Sequence, residues 1–456
     1  IWLDILNTIS HPEIVKPGEW KTVVVDYIGA NAGKPLHIGH LCTPSVGQAI
    51  CNIYNHLGYK VIGDSHFGDW GGIFGKLIYQ WKVSNYIITF DVYWNKNLID
   101  CDINDWKLKE SCLKSEGINY LIDLYQAFHD SSSYITLPDE WAPEDKDIWA
   151  RLEFQYLSWV GIDLSNPEEL KHHEENVELW KSFTSISITE IEKKLDLLNV
   201  HANYNIGESF YEGLNLPRPN NEDYPDLQWN MKSIVTELIE KWIATDNSIL
   251  SNWEDKSVWV VFPEESKLPS CILQKKDGTG LYLTSDLAAI KYRLTNGWNP
   301  SKIIYSVDVR QQLHLRQAFA IAKMAWPELT EWVEFFHAFN GFIKLKEWAM
   351  STRHGTVIFL EKLIEEGEER TTAVLEEKWR TGDNKLSPED IKAITVGAIK
   401  YSYLSQDREK DVTFDWDKAL SFEGNSGPYI QYACVRAAKV AWFSHCEERS
   451  NPEAPE

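Results

Sequence analysis

The stretch KTVVVDYIGANAGKPLHIGHLCTPSVG, residues 21 to 47, decides how the fold is read. Thr22 to Tyr27 is a β-branched, nearly apolar run, as in a strand buried on both faces, and Gly29, Asn31, Gly33 and Pro35 then break it. After this loop, His37-Ile38-Gly39-His40 leads into a segment where Leu41, Val46, Ala49, Ile50, Ile53 and Leu57 recur at helical spacing. The histidines are thus placed at a helix N-terminus. Unpaired backbone N–H groups and the positive end of the helix dipole favour an anion there, and Gly39 lets a phosphate approach the backbone. Imidazoles can donate hydrogen bonds to charge developing at phosphorus. The plain alternative is a chance turn whose histidines only cap a helix.

Working outward, 456 residues suit two to four domains, and 43% hydrophobic with 25% charged residues is an ordinary globular balance. No window approaches the roughly 18 apolar residues needed to span a bilayer, and the N-terminus lacks a basic region followed by an apolar core. No membrane association and a cytoplasmic location are expected. Seven cysteines without a CxxC pair argue against a disulfide framework or a zinc ribbon, so buried free thiols and no protein-bound zinc are expected. A net charge of −23 weighs against a nucleic-acid partner, although a basic track on one face can coexist with an acidic whole.

Beyond Lys76 a long region without repeats precedes VWVVFPEE, where the second half of a nucleotide-binding fold is expected to begin. His172 and His173 in KHHEENVE diverge by about 100 degrees on a helix, which favours a solvated face over a metal site. Asp277-Gly278 with Gly280 signals a hairpin, and Tyr282 and Asp286 follow at i and i+4. An aromatic ring and a carboxylate on one face suit a guanidinium; a carboxylate that only balances a helix dipole is the plainer reading. KIIYSVDV then RQQLHLRQAFAIAKMAW is another strand-to-helix junction, placing Gln311, Gln312 and His314 outside the carboxyl end of a strand, either to meet a ligand or to cap the helix. Ser387-Pro388-Glu389-Asp390 has the form of a helix start.

The chain resembles the class I aminoacyl-tRNA synthetases, and within them arginyl-tRNA synthetase. The residues that carry the resemblance are Asp26, Asn31, Lys34, the HIGH turn from His37 to His40, Gly68-Asp69-Trp70-Gly71-Gly72-Ile73-Phe74-Gly75, Tyr282 with Asp286, Met350-Ser351-Thr352-Arg353, and Tyr429 with Gln431 and Tyr432. The implied fold is α/β, a doubly wound parallel-sheet (Rossmann-like) nucleotide-binding domain with a long insertion, followed by a mostly helical region. The expected division is 1–20 as the end of an additional N-terminal domain, 21–80 and 258–345 as the catalytic halves, and 81–257 as the insertion. A KMSKS-like loop and stem-contact region over 346–395 and the start of an anticodon-binding bundle over 396–456 complete it.

The resemblance implies activation of L-arginine by ATP, with Mg²⁺ on the ATP, and transfer to tRNA(Arg) by a monomer. It assigns arginine to Asp26, Asn31, His37, Tyr282, Asp286 and Gln311, with Gln312 a competitor for the last role. It assigns ATP to His37, Gly39, His40, His314, Met350 and Ser351, with His37, His40, Lys34 and Arg353 serving catalysis. Ala349 and Thr352 stand where the KMSKS lysines would be, and Lys34 is expected to replace the second of them, its plain alternative being a solvated loop lysine. Cys42 and Ser285 stand where family members often have Arg, which bears on phosphate or tRNA contacts. Two other readings stay open: an inactive arginine- or tRNA-binding paralogue or fragment, and another class I synthetase such as the cysteinyl or glutamyl type.

Overall fold

The computed structural model describes residues 16–34, 36, 38–83, 86–90, 96–100, 106–129, 146–158, 160–163, 165–213, 227, 229–247, 255–345, 360–378 and 386–450. His37, Met350, Ser351, Arg353 and the first fifteen residues lie outside them, as do Ala349 and Thr352. The chain divides into two compact units. The first holds residues 1–35, 47–193 and 201–338; the second holds 36–46, 194–200 and 339–456.

The first unit is built on a parallel sheet. Strand β1 (Thr22–Asp26) is buried along its whole length, the consequence of its unbroken TVVVD run. Helix α1 (Cys42–His56) follows, then β2 (Lys60–Ser65). After α2 (Gly72–Val83) come the hairpin β3 (Tyr86–Phe90) with β4 (Lys96–Asp100), and the helices α3 (Ile118–His129), α4 (Lys146–Ser158) and α5 (Pro167–Leu197). The short strand β5 (Tyr204–Asn205) then returns to the sheet beside β2.

Three strands further on, β6 (Ala244–Asp246), β7 (Val258–Val260) and β8 (Cys271–Gln274) pair with one another as an antiparallel sheet. The VWV of VWVVFPEE, where the second half of the nucleotide-binding fold is expected to begin, is the middle strand of this antiparallel sheet and not a strand of the parallel one. The burial pattern gives the reason: Val258 and Val260 are buried while Trp259 faces outward, the alternation of a half-covered strand. Helix α6 (Tyr282–Thr295), β9 (Pro300–Tyr305), α7 (Gln312–Ala325) and β10 (Glu334–His337) complete the unit.

The parallel sheet runs β10-β9-β1-β2-β5, so strand order reverses between β1 and β9. That reversal opens a crevice outside the carboxyl ends of the strands, where ligands of doubly wound sheets collect. Register places Asp64, Asp26, Tyr305 and His337 side by side across β2, β1, β9 and β10 at that end. Behind them Val23, Val24, Val25, Ile62, Ile303 and Ile304 form the buried core of the sheet.

The second unit contains a 3-10 turn at Ile38–His40, the parallel pair β11 (Ile343–Leu345) and β12 (Val412–Phe414), and helices α8 (Leu360–Lys378), α9 (Pro388–Leu404) and α10 (Gly427–Ser450). Ser387 caps α9 and forms a reciprocal box with Asp390, as its sequence predicts. Gln431 on α10 donates to the Ala393 carbonyl of α9 at 3.1 Å.

Two smaller expectations need correction. His173 is not on a solvated face: it is buried, with Nδ1 2.8 Å from the Tyr156 carbonyl, while His172 stacks on the Tyr156 ring. Helical divergence separated the two imidazoles, but the helix turned one of them inward. Cys42, Cys51 and Cys112 are buried free thiols, whereas Cys434 is exposed. Among the described residues no helix is long and apolar enough to cross a membrane, and no group of three or more potential ligands is placed to hold a metal ion.

Candidate active site

Helix α6 starts at Tyr282, whose side chain is 67% exposed, and one turn later presents Asp286 on the same face. The Asp286 carboxylate is largely buried. Its Oδ2 lies 2.5 Å from His314 Nε2, and its Oδ1 lies 3.9 Å from His66 Nε2. Burial alone would raise Asp286, but the hydrogen bond and charge of His314, with His66 and Arg293 behind, hold it below the usual carboxylate range. For His314, burial works downward and is outweighed by Asp286, so the imidazole is raised. Neither ring nitrogen of His66 finds a hydrogen-bond partner among the described residues.

A second carboxylate comes from the turn Glu208–Glu212, just past β5. Glu208 Oε1 accepts from Ser285 Oγ at 3.3 Å. Burial, then the negative charges of Asp69 and Asp286, push Glu208 well above its ordinary value. Burial likewise raises Tyr282, with Glu208 and Tyr125 adding to it. The turn is fixed by Asp69, which accepts from the Ser209 backbone N–H at 2.8 Å and from its hydroxyl at 2.7 Å. A Cβ on Gly207 would lie 2.3 Å from Asp69 Oδ2, so this close approach needs glycine. Glu208, Tyr282 and Ser285 line a cavity of about 440 Å³, together with Glu212, Arg151 and Trp70. Burial lifts Glu212 to about 7 against the pull of Lys232.

The loop after β1 is held by the Gly68-Asp69-Trp70 block. Asn31 bridges to Gly68, the Ala32 N–H donates to the Gly68 carbonyl at 3.0 Å, and the Gly68 N–H donates to Ala30 at 2.9 Å. A Cβ on Gly68 would stand 2.2 Å from Asn31 Oδ1, so glycine there sets the amide's position. Lys34 follows on the solvent side, with its ammonium 4.9 Å from the centre of the Tyr125 ring. Partial burial lowers its pKa.

Asp26 occupies a different environment. Arg293, fully buried on α6, donates from Nη2 to Asp26 at 2.9 Å, from Nε to Asp64 at 2.8 Å and from Nη1 to the Tyr305 hydroxyl at 2.8 Å. The cluster of Tyr282, Asp286, His314 and Glu208 is thus distinct from that of Asp26, though Arg293 acts electrostatically on both. Gln311 is the exposed N-cap of α7 and makes no capping bond; Gln312, the first helical residue, is exposed too, so both remain open to a ligand. Gly39 and His40 fall in the second unit, within the 3-10 turn, beside Thr43, whose hydroxyl donates to Asn340 at 3.1 Å.

Sequence reasoning missed Glu208, His66 and Arg293. Glu208 follows a strand of two residues, too short for any periodicity to register. A Gly-Glu-Ser step amid buried aromatics, Gly207 to Tyr211, was its available signal. Arg293 was hidden near the end of α6 beside Lys291, where a cation reads as surface.

The profile described as tRNA synthetases class I (R), catalytic domain, matches residues 5–89 and 165–416. Arginine–tRNA ligase of Fusobacterium nucleatum is 33% identical over 419 residues, covering 92% of this chain and 61% of that protein. The corresponding ligase of a Clostridium botulinum strain is 33% identical over 427 residues, 93% of this chain and 63% of its own length. The chain therefore spans about three fifths of these curated relatives. Arginyl-tRNA synthetase from Plasmodium falciparum shares the fold at a TM-score of 0.63 and 22% identity, covering 94% of this chain and 60% of that one. The Thermus thermophilus arginyl-tRNA synthetase superposes at 0.63 and 21%, covering 99% and 69%. With most of its length matched by that profile, the chain belongs to the class I tRNA synthetases of the arginine (R) type.

Proposed function

We propose that the chain activates L-arginine with ATP to arginyl-adenylate and transfers the arginyl group to the 3′-terminal ribose of tRNA(Arg), as a cytoplasmic monomer. The observation that carries this reading is the pair of buried carboxylates, Asp286 and Glu208, beside the exposed ring of Tyr282. A guanidinium offers planar N–H donors to two carboxylates and a face to an aromatic ring, whereas a lysine ammonium offers charge without the fork. Lysine would leave a buried acceptor unpaired, at about 1–3 kcal/mol per group. The His66 nitrogens, without a hydrogen bond among the described residues, also suit a polar ligand beside Asp286.

In this reading Asn31 and Gln311 meet the α-amino end of arginine, and Asp26 acts there through the position that Arg293 gives it. No side chain serves as nucleophile. A carboxylate oxygen of arginine attacks the α-phosphorus of ATP, a new O–P bond forms, and pyrophosphate leaves with the electrons of the broken P–O bond. Mg²⁺ arrives with the ATP. His40, together with His37, Met350, Ser351 and Arg353 as the family resemblance assigns them, would serve the nucleotide. Lys34 supplies positive charge to its phosphates, so the protein contributes position and electrostatics.

Arginine-dependent ATP–pyrophosphate exchange tests this, run with and without tRNA(Arg) and with lysine and citrulline as controls. Exchange with arginine alone among the three is expected. Arginine binding without exchange in either condition would favour an inactive binding paralogue.

A further inference from the structure

Lys34 is held by an aromatic face. No hydrogen bond or ion pair engages its ammonium among the described residues, and its close contact is the face of Tyr125 at 4.9 Å. Tyr125 is on α3, in the stretch 90–164 that separates the two segments matched by the family profile. The same ring acts electrostatically on Tyr282, at the start of α6.

The end of α3 repeats the arrangement. Lys76 and Lys146 lie over the Phe128 ring at 4.9 and 5.4 Å, and the rings of Tyr125 and His129 are 4.6 Å apart. Lys76 has Asp147 at 3.8 Å as a counter-charge; Lys34 has none among the described residues. His129 is lowered first by burial and then by Lys76, Lys146 and Lys34, with Asp147 opposing, so the local field is positive within a chain of net charge −23.

We propose that Tyr125 is a positioning residue for ATP: its ring holds the Lys34 ammonium beside the site without neutralising it, leaving the full charge for a phosphate. A carboxylate in the same place would fix the lysine equally well but would compete with the phosphate for it. An aromatic face orients a cation through its quadrupole and carries no net charge. The inference rests on the proposed role of Lys34.

The test compares Tyr125→Leu, Tyr125→Phe, Lys34→Ala and the Tyr125→Leu/Lys34→Ala double variant in the whole chain. MgATP affinity is measured by equilibrium dialysis, KM for ATP and for arginine by pyrophosphate exchange, and folding by thermal unfolding. Tyr125→Leu is expected to weaken MgATP binding and raise the KM for ATP about three- to tenfold, the range of a half-exposed cation–π contact. The KM for arginine should stay unchanged, Tyr125→Phe should recover most of the affinity, and the leucine effect should vanish when Lys34 is already alanine. If Lys34→Ala weakens MgATP and Tyr125→Leu does not, the inference is overturned while the role of Lys34 stands. A leucine effect that persists in the Lys34→Ala background also overturns it. No effect of Lys34→Ala, or no MgATP binding by the unaltered chain, removes the reading on which the inference rests, and the inference with it.

Discussion

Glu208 and Asp286, the two carboxylates proposed to receive the guanidinium, have opposite protonation tendencies. Burial and two neighbouring carboxylates favour the neutral form of Glu208, whereas His314 favours the ionised form of Asp286. An arriving guanidinium adds a positive charge beside Glu208 and pulls its pKa down. Arginine binding is therefore expected to release protons at any pH where the free Glu208 still carries one, seen in calorimetry as a binding enthalpy that varies with the ionisation enthalpy of the buffer. Citrulline, of similar shape and without charge, should release none, and a buffer-independent enthalpy for arginine would refute the assignment. The Asp286–His314 pair has its own pH signature. The raised His314 contributes stability that is fully present below the ordinary histidine range and is lost as pH rises through its folded value. The depressed Asp286 contributes stability present above the ordinary Asp range and lost as pH falls through its folded value. His314→Gln should flatten the stability loss on the alkaline side, measured as denaturant midpoint against pH. An unchanged slope there would show that His314 does not titrate with the pair.

At the scale of the element, α6 joins the residues proposed for recognition to an anchor. Tyr282, Asp286 and Arg293 lie at i, i+4 and i+11, close to one face of the helix. The first two are proposed to meet arginine; the third ties the helix to the row Asp64, Asp26, Tyr305 at the ends of β2, β1 and β9. Removing Arg293 leaves two carboxylates buried without their cation, so Arg293→Ala is expected to destabilise the chain by about 3–5 kcal/mol. Arg293→Lys should recover little of this, because one ammonium cannot reach three partners that a planar fork spans. Denaturant unfolding of both variants measures it; a full rescue by lysine would show that charge alone matters. Much of this architecture was legible in the sequence. The apolar run of β1, the glycine break and the helical period after it fixed one strand–turn–helix unit, and Tyr282 to Asp286 showed its i, i+4 spacing. What stayed hidden depended on pairing across the chain. Asp26 reads as a free acid at a strand end until Arg293 is seen 267 residues away. Glu208 has no meaning until Ser285 and Asp286 arrive beside it, and VWV reads equally well as a buried or a half-covered strand until its partners are known.

At the scale of the molecule, the described residues proposed to hold arginine share one unit. Asn31, Glu208, Tyr282, Asp286 and Gln311 all lie in the first, whereas α9 and α10 belong to the second. A ligand that binds only the folded site stabilises it by about 2.7 kcal/mol at a concentration one hundred times its dissociation constant. Amides that exchange by opening of that site should then slow by up to roughly a hundredfold. Hydrogen exchange with saturating arginine is thus expected to protect 27–34, 66–71, 207–212 and 280–287 strongly. Residues 388–404, on α9, should keep their rates, because local opening there leaves the arginine contacts intact. Equal protection of both regions would mean that the units open only together, so that arginine stabilises the whole chain as one cooperative body. Protection of 388–404 alone would place the amino acid outside the Asp286–Glu208 pair and remove the basis for reading that pair as its guanidinium site.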